Sequence, residues 1–383
     1  RAGLVTLDRY RPRSRRLWEP THAQARLSLP YRARRFVAMT ALPAIVLVAI
    51  LTRPAVPLVP QALHTSESAA VADLGWWGEY MDTMDWYFSN GHDLLRFRAN
   101  ADVRSEFLNV SDGRRATWTP PPCRCHRLSV WVYGGSTTFG LGQRDDHTIP
   151  SELARIAARE GITLDVSNRG FAGATHWMAA QRFAWDVATE DPPDLVIFYD
   201  GVNDQGAVST LVETGRFGVA EPAARGLELE RRNFDEEHGN PPGTPTPDSV
   251  VLPAETTDAT PNQPGAAEVG RQTAAHYQRS RSLSVEAAQN AGIPALWFWQ
   301  PTAASRRPPS PQEESQEVDR VTAQAAAAAL PDGVIDLSGS VDASEEAVFY
   351  DGAHTNEVGA GLIAAAVYEH IRPQLEHLKR EGQ

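Results

Sequence analysis

Between Leu128 and Ile371, short runs rich in apolar residues alternate with longer stretches in which apolar residues recur at helical spacing. The runs LSVWVY (128–133), LDVSN (164–168), DLVIFYDG (194–201), PALWFWQP (294–301) and VIDLS (334–338) predict strands. A run that is apolar on both sides of the pleat belongs inside a parallel sheet whose two faces are covered by helices. The intervening stretches predict helices from Thr148 to Glu160, over 176–189, and around 271–291, 313–329 and 356–371. Pro150 falls in a first helical turn, where its missing N–H has no partner to lose. Alternation of this kind predicts an α/β fold with a parallel sheet of about five strands and right-handed connections.

Upstream the pattern changes twice. Phe36 to Thr52 (FVAMTALPAIVLVAILT) carries no charge and is followed by Arg53. Its length is at the short end of the range for a membrane-spanning helix, about 17–25 residues. Residues 1–35 hold ten Arg against two acids, Asp8 and Glu19. That bias predicts a cytoplasmic N-terminal segment (1–35), a transmembrane anchor (36–52), and a remainder outside the cytoplasmic membrane. A cleaved signal peptide is the rival, but the basic leader is long and no A-x-A site is obvious after Leu51. Residues 53–75 look like a linker. From 76 to 127 comes an aromatic-rich accessory segment in which Trp77, Tyr80, Met81, Met84 and Phe88 share one helical face. The expectation is a helix packing that stripe on the main domain. A membrane-surface helix needs a basic polar face, and Glu79, Asp82 and Asp85 supply an acidic one. Residues 221–268, rich in Pro, Thr, Glu, Asp and Gly without apolar period, predict a disordered insertion between the third strand and its following helix.

Composition narrows the function classes. The 383 residues carry a formal net charge of −12, with only two Cys. The acidity argues against nucleic acid as the main partner. Cys123 and Cys125 flank one Arg; free thiols and a local disulfide are both open. No Cys/His cluster has zinc-site spacing, no GK[ST] follows the glycines of a nucleotide-binding loop, and neither metal nor cofactor is expected.

In an open parallel sheet ligands bind beyond the carboxyl ends of the strands, so the residues after each strand matter most. They are Gly134-Gly135-Ser136-Thr137-Thr138-Phe139-Gly140, Asn168-Arg169-Gly170-Phe171-Ala172-Gly173, Gly201-Val202-Asn203-Asp204, and Asp351-Gly352-Ala353-His354. Taken singly each is weak: Ser136 reads equally as a helix cap, Asn203 and Asp204 as turn residues. Asp235 and His238 repeat the Asp-x-x-His spacing inside the insertion.

In order and placement, however, the four blocks resemble those of the SGNH hydrolases, the GDSL esterase/lipase family, over residues 128–371. The resemblance implies a three-layer α/β/α sandwich, flavodoxin-like, over 128–375. It implies Ser136 as nucleophile, with Asp351 and His354 completing a catalytic triad. It implies Ser136, Gly173 and Asn203 as the oxyanion hole, supported by Asn168 and Asp204. One departure is Gly135, which stands where the family's GDS has Asp. The chemistry agrees with these roles. A serine hydroxyl needs a base, and an imidazole, which titrates near about 6.5, suits that task at working pH. A carboxylate three residues from the histidine can fix its tautomer.

The expected activity is serine ester hydrolysis, removing O-acyl groups (acetyl or longer) from glycan or lipid esters. The alternatives are an SGNH-type O-acyltransferase of envelope polysaccharide and a non-catalytic envelope-binding module. His147 and His176 are expected to be surface or internally satisfied histidines, and Trp297 and Trp299 to be core.

Overall fold

A computed structural model describes residues 68–89, 92–93, 98–99, 102–213, 264–308, 310, 312–313 and 315–381. The expected basic segment, the anchor at 36–52 and nearly all of the 221–268 insertion lie outside the described residues. Among the described residues no helix is long and apolar enough to cross a membrane.

In chain order the elements are α1 (Trp77–Ser89), β1 (His92–Asp93), β2 (Arg98–Ala99), β3 (Val103–Arg104), β4 (Asn109–Ser111), β5 (Arg114–Arg115), β6 (Arg127–Gly134), α2 (Ser136–Phe139), α3 (Ile149–Arg159), β7 (Thr163–Asn168), α4 (His176–Thr189), β8 (Leu195–Asp200), α5 (Val202–Glu213), α6 (Ala266–Ala291), β9 (Ala295–Trp299), α7 (Glu317–Ala328), β10 (Val334–Asp336) and α8 (Glu357–Glu381). Strands β1 and β2 form a separate antiparallel pair. The main sheet has the order β10-β9-β8-β6-β7-β5-β4-β3. Its first five strands are parallel, and they are the five that the apolar runs predict. The last three are short and antiparallel. The sheet is therefore mixed and larger than expected, because the 76–127 segment is built into it: β5 joins β7 through the single register pair Arg115–Asn168.

Alternation along the strands builds the layers. Leu128, Val130 and Val132 of β6, with Leu195, Ile197 and Tyr199 of β8, pack against Leu153 and Ala157 of α3 and Ile363, Val367 and Ile371 of α8. Trp131 and Tyr133, with Val196 and Phe198, face the other way onto Ala179 and Phe183 of α4 and Ala288 of α6. The result is the α/β/α sandwich. Trp297 and Trp299 both join core clusters, as expected.

Several boundaries differ from expectation. The end of the expected linker is packed: Ala70 and Val71 are buried, and the Ala70 carbonyl accepts from Asn356 Nδ2 at 3.0 Å. The α1 stripe is buried at Trp77, Tyr80, Met81 and Met84, joined by Tyr87, in a core shared with Phe139, Leu141 and Tyr350. The side chain of Phe88 is outside the description. Helix α5 follows β8 directly, so the third strand's helix precedes the insertion rather than following it. Helix α8 continues through Pro373 to Glu381. A proline removes one helical donor, but buried Leu375 beyond it holds the last turns on the core. Cys123 and Cys125 are bonded to each other.

Candidate active site

The four Gly-punctuated loops sit at the carboxyl ends of β6, β7 and β8 and just before α8. Strand β6 must end on a glycine. A β-carbon on Gly134 would lie 1.9 Å from the Tyr199 carbonyl oxygen and 2.2 Å from Thr138 Oγ1. The chain then enters the four-residue helix α2 with Ser136 first, 7 % exposed. Thr138 Oγ1 donates to the Tyr199 carbonyl at 2.8 Å and so ties α2 to β8.

Ser136 Oγ lies 2.7 Å from His354 Nε2. On the other side of the ring, His354 Nδ1 lies 2.7 Å from Asp351 Oδ2. The second carboxylate oxygen, Oδ1, accepts the backbone N–H groups of Ala353 at 2.8 Å and His354 at 2.7 Å. Burial pushes the Asp351 carboxyl up, but the His354 ring and these hydrogen bonds outweigh it and hold the group below the usual carboxylate range. An ionised Asp351 can only accept, so it selects the tautomer with the proton on Nδ1 and leaves Nε2 free to take one from Ser136.

The remaining predicted residues stand at or just after the carboxyl ends of β7 and β8. Asn203 Nδ2 donates to the Ala174 carbonyl at 2.9 Å, which fixes it against the β7 loop. The same nitrogen is 2.3 Å from where a β-carbon on Gly135 would stand, so the amide lies over the residue preceding Ser136. Gly173, next to Ala174, has φ +79°, a left-handed conformation that favours glycine. Asn168 is fully buried and works as a staple: Nδ2 donates to the carbonyls of Thr138 (3.0 Å) and Phe139 (3.2 Å), and Oδ1 accepts the Gly170 N–H at 3.0 Å. Asp204, in the first turn of α5, accepts the His176 N–H at 3.0 Å and so binds α5 to the start of α4.

His176 itself is buried away from this chemistry, with Nδ1 2.7 Å from Asp200 Oδ2 and Nε2 2.9 Å from Ser284 Oγ. Burial pushes the Asp200 carboxyl up. His147 pairs with Glu152 at 2.9 Å. Among the described residues no group of three or more His, Cys, Asp or Glu side chains is arranged to hold a metal ion.

Sequence reasoning missed the residues that bridge the loops. Gln143 Nε2 donates to the Thr355 carbonyl at 3.0 Å and to its Oγ1 at 3.1 Å. Arg144 pairs with Glu357 through two bonds of 2.7 Å. Arg115, wholly buried, donates to the carbonyls of Phe139, Gly140 and Gln143 and to Asp145. No motif marks these positions; only the fold brings them beside the site.

The family model for the GDSL-like lipase/acylhydrolase family matches residues 132–362, from the end of β6 into α8. The chain belongs to that family. This SGNH/GDSL hydrolase is accordingly an enzyme that cleaves ester bonds. No curated protein matches its sequence. Among solved structures it is similar to a lipase/acylhydrolase from Enterococcus faecalis (18 % identity, TM-score 0.34, covering 64 % of this chain and 96 % of that one). It is similar also to a family 3 carbohydrate esterase from Clostridium thermocellum (16 %, TM-score 0.30, 66 % and 100 %). A third is a two-domain esterase active on acetylated mannans (14 %, TM-score 0.33, 67 % and 50 %).

Proposed function

We propose that this hydrolase removes O-acyl groups, acetyl or longer, from glycan or lipid esters through an acyl-enzyme on Ser136. The observation that carries the reading is the unbroken hydrogen-bonded line from Ser136 Oγ through both nitrogens of His354 to Asp351. As Ser136 Oγ bonds to the acyl carbon, its proton passes to His354 Nε2, and Asp351 stabilises the imidazolium. The carbonyl oxygen becomes an oxyanion. Its donors are the backbone N–H groups of Ser136 and Gly173 and the Asn203 side-chain amide, acting where charge develops. The tetrahedral centre collapses, the C–O bond to the alcohol breaks, and His354 returns its proton to the leaving oxygen. Water then attacks the acyl-serine, gives its proton to His354, and the acid leaves as that proton returns to Ser136.

The sequence supports an extracytoplasmic setting through its uncharged stretch at 36–52 and the ten Arg that precede it. Membrane anchoring at 36–52, and with it acylated envelope or extracellular material as substrate, belongs to the same proposal.

The test is turnover of p-nitrophenyl acetate, with and without sugar acceptors, by the full chain and by Ser136→Ala and His354→Ala. Both variants should fold and lose turnover. Near wild-type hydrolysis by either contradicts the assignment. Strong transfer to sugars with negligible hydrolysis would put a sugar hydroxyl in the place of water.

A further inference from the structure

Ser136 and His354 are 218 residues apart in the chain and stand on loops from opposite ends of the domain sequence. Their 2.7 Å contact demands that both loops be fixed closely, since about 1 Å of misplacement is enough to cost roughly a hundredfold in rate. One element touches the supports of both. Tyr80 of α1 is fully buried, and its hydroxyl spans the turn that closes α2. It donates to the Gly140 carbonyl at 3.1 Å and accepts the Gly142 N–H at 3.1 Å. The Gly140 N–H in turn donates to the Ser136 carbonyl at 2.9 Å.

One helical turn earlier, Trp77 stacks on Tyr80 (centroids 6.1 Å) and meets Tyr350 edge-on at 5.0 Å. Tyr350 lies nearly parallel to the His354 ring, 5.8 Å away at 17°. Gly142 lets the Ser136 loop lie against the same tyrosine: a β-carbon there would stand 2.2 Å from the Tyr350 ring. Residues just before α1 hold the His354 loop as well, through Asn356 Nδ2 to the Ala70 carbonyl.

We propose that α1 is a positioning element of the active site. Tyr80 locks the turn behind Ser136, and Trp77 backs the His354 ring through Tyr350, so one helix sets the spacing of the two reacting groups. Core packing alone does not account for this. Phenylalanine would fill the site of Tyr80 as well, yet the buried hydroxyl makes two hydrogen bonds to the Ser136 turn and accepts a third, at 3.5 Å, from Arg115 Nη1, which itself donates to the Phe139 and Gly140 carbonyls. The ring of Tyr350 acts by contact, because its hydroxyl has no hydrogen-bond partner among the described residues. The proposal rests on the reading of Ser136 and His354 as the reacting pair.

The experiment compares Tyr80→Phe, Tyr350→Leu, Tyr350→Phe and Ser136→Ala in the full chain. It reads kcat and KM for p-nitrophenyl acetate, the rate of Ser136 labelling by a fluorophosphonate, and far-UV circular dichroism. Tyr80→Phe and Tyr350→Leu should each lower kcat and the labelling rate by about tenfold with KM changed by no more than about twofold, the signature of a misplaced reacting group. Tyr350→Phe, which keeps the ring, should restore the wild-type rate. If Tyr80→Phe fails to fold, the contrast between Leu and Phe at position 350 decides. Folded Tyr80→Phe and Tyr350→Leu with wild-type kcat, beside an inactive Ser136→Ala, would overturn the brace alone. Turnover surviving in Ser136→Ala would remove the reading beneath it.

Discussion

The side-chain amide of Asn203 occupies the space that a side chain on Gly135 would need, with Nδ2 2.3 Å from the position of a β-carbon there. The family's first block carries Asp where this chain has Gly135. Here the glycine lets the amide lie directly over the residue before Ser136. The nearest atom in the way is the tip of a side chain, with the Ala174 carbonyl oxygen next at 3.2 Å, so a methyl group requires Asn203 to move and the β7 loop to give by a few tenths of an ångström. Gly135→Ala should therefore melt close to the wild type but lose kcat by about tenfold, because a displaced oxyanion donor is felt in the transition state. Unchanged kcat in a folded Gly135→Ala variant would mean that the placement of Asn203 is immaterial to the chemistry.

Removing the amide altogether should do more. Asn203→Ala is expected to lower kcat by about 10²–10³-fold, the usual cost of one oxyanion donor, with a smaller rise in KM. A change confined to KM would reassign Asn203 to substrate binding. Steady-state kinetics on a soluble acetyl ester separate the two outcomes.

Asn168 links the carboxyl end of β7 to the last carbonyls of α2 in a buried site. Asn168→Ala should cost about 1–3 kcal/mol of folding stability, since buried polar groups lose their partner. Asn168→Asp should be worse at neutral pH, because a carboxylate would face the Thr138 and Phe139 carbonyls that the amide now donates to. Denaturant titration of the three proteins tests the order; an aspartate variant as stable as the wild type would refute the staple.

Asp351 predicts a pH dependence of defined sign. Its folded-state pKa is lowered, with burial opposing and the His354 ring and hydrogen bonds prevailing. The stability from its ionisation is therefore complete above the unfolded value of about 3.9 and is lost as pH falls through the lower folded value. The difference in unfolding free energy between wild type and Asp351→Asn should shrink as pH falls below about 4. A difference that stays constant as pH falls through about 4 and below would show that Asp351 is not held as described.

The sequence announced the parts of the molecule whose physics is local. Five apolar or alternating runs marked β6 to β10, most plainly β8, which is buried at every position, and the four polar loops follow those strands or precede α8. What was not legible depends on long-range contact. Strands β3, β4 and β5 are two or three residues long, too short to leave a period. No pattern marks Arg115, although it is buried and donates to the carbonyls at the end of α2. Helix α5 was hidden because Gly201-Val202-Asn203-Asp204 reads as a turn. The helix expected over 356–371 runs on through Pro373 to Glu381, and only the burial of Leu375 shows why. At the site, the Gln143–Thr355 bridge has no spacing signal, since its partners are 212 residues apart.

The chemistry of the site depends on Ser136 acting as a nucleophile whose proton His354 removes. The most direct measurement is mass-spectrometric mapping of the adduct formed when the full chain reacts with a serine-directed fluorophosphonate. One adduct is expected, on Ser136, formed rapidly in the wild type and at a small fraction of that rate in His354→Ala. Modification elsewhere with Ser136 untouched, or equally fast labelling of Ser136 without the His354 imidazole, would contradict it.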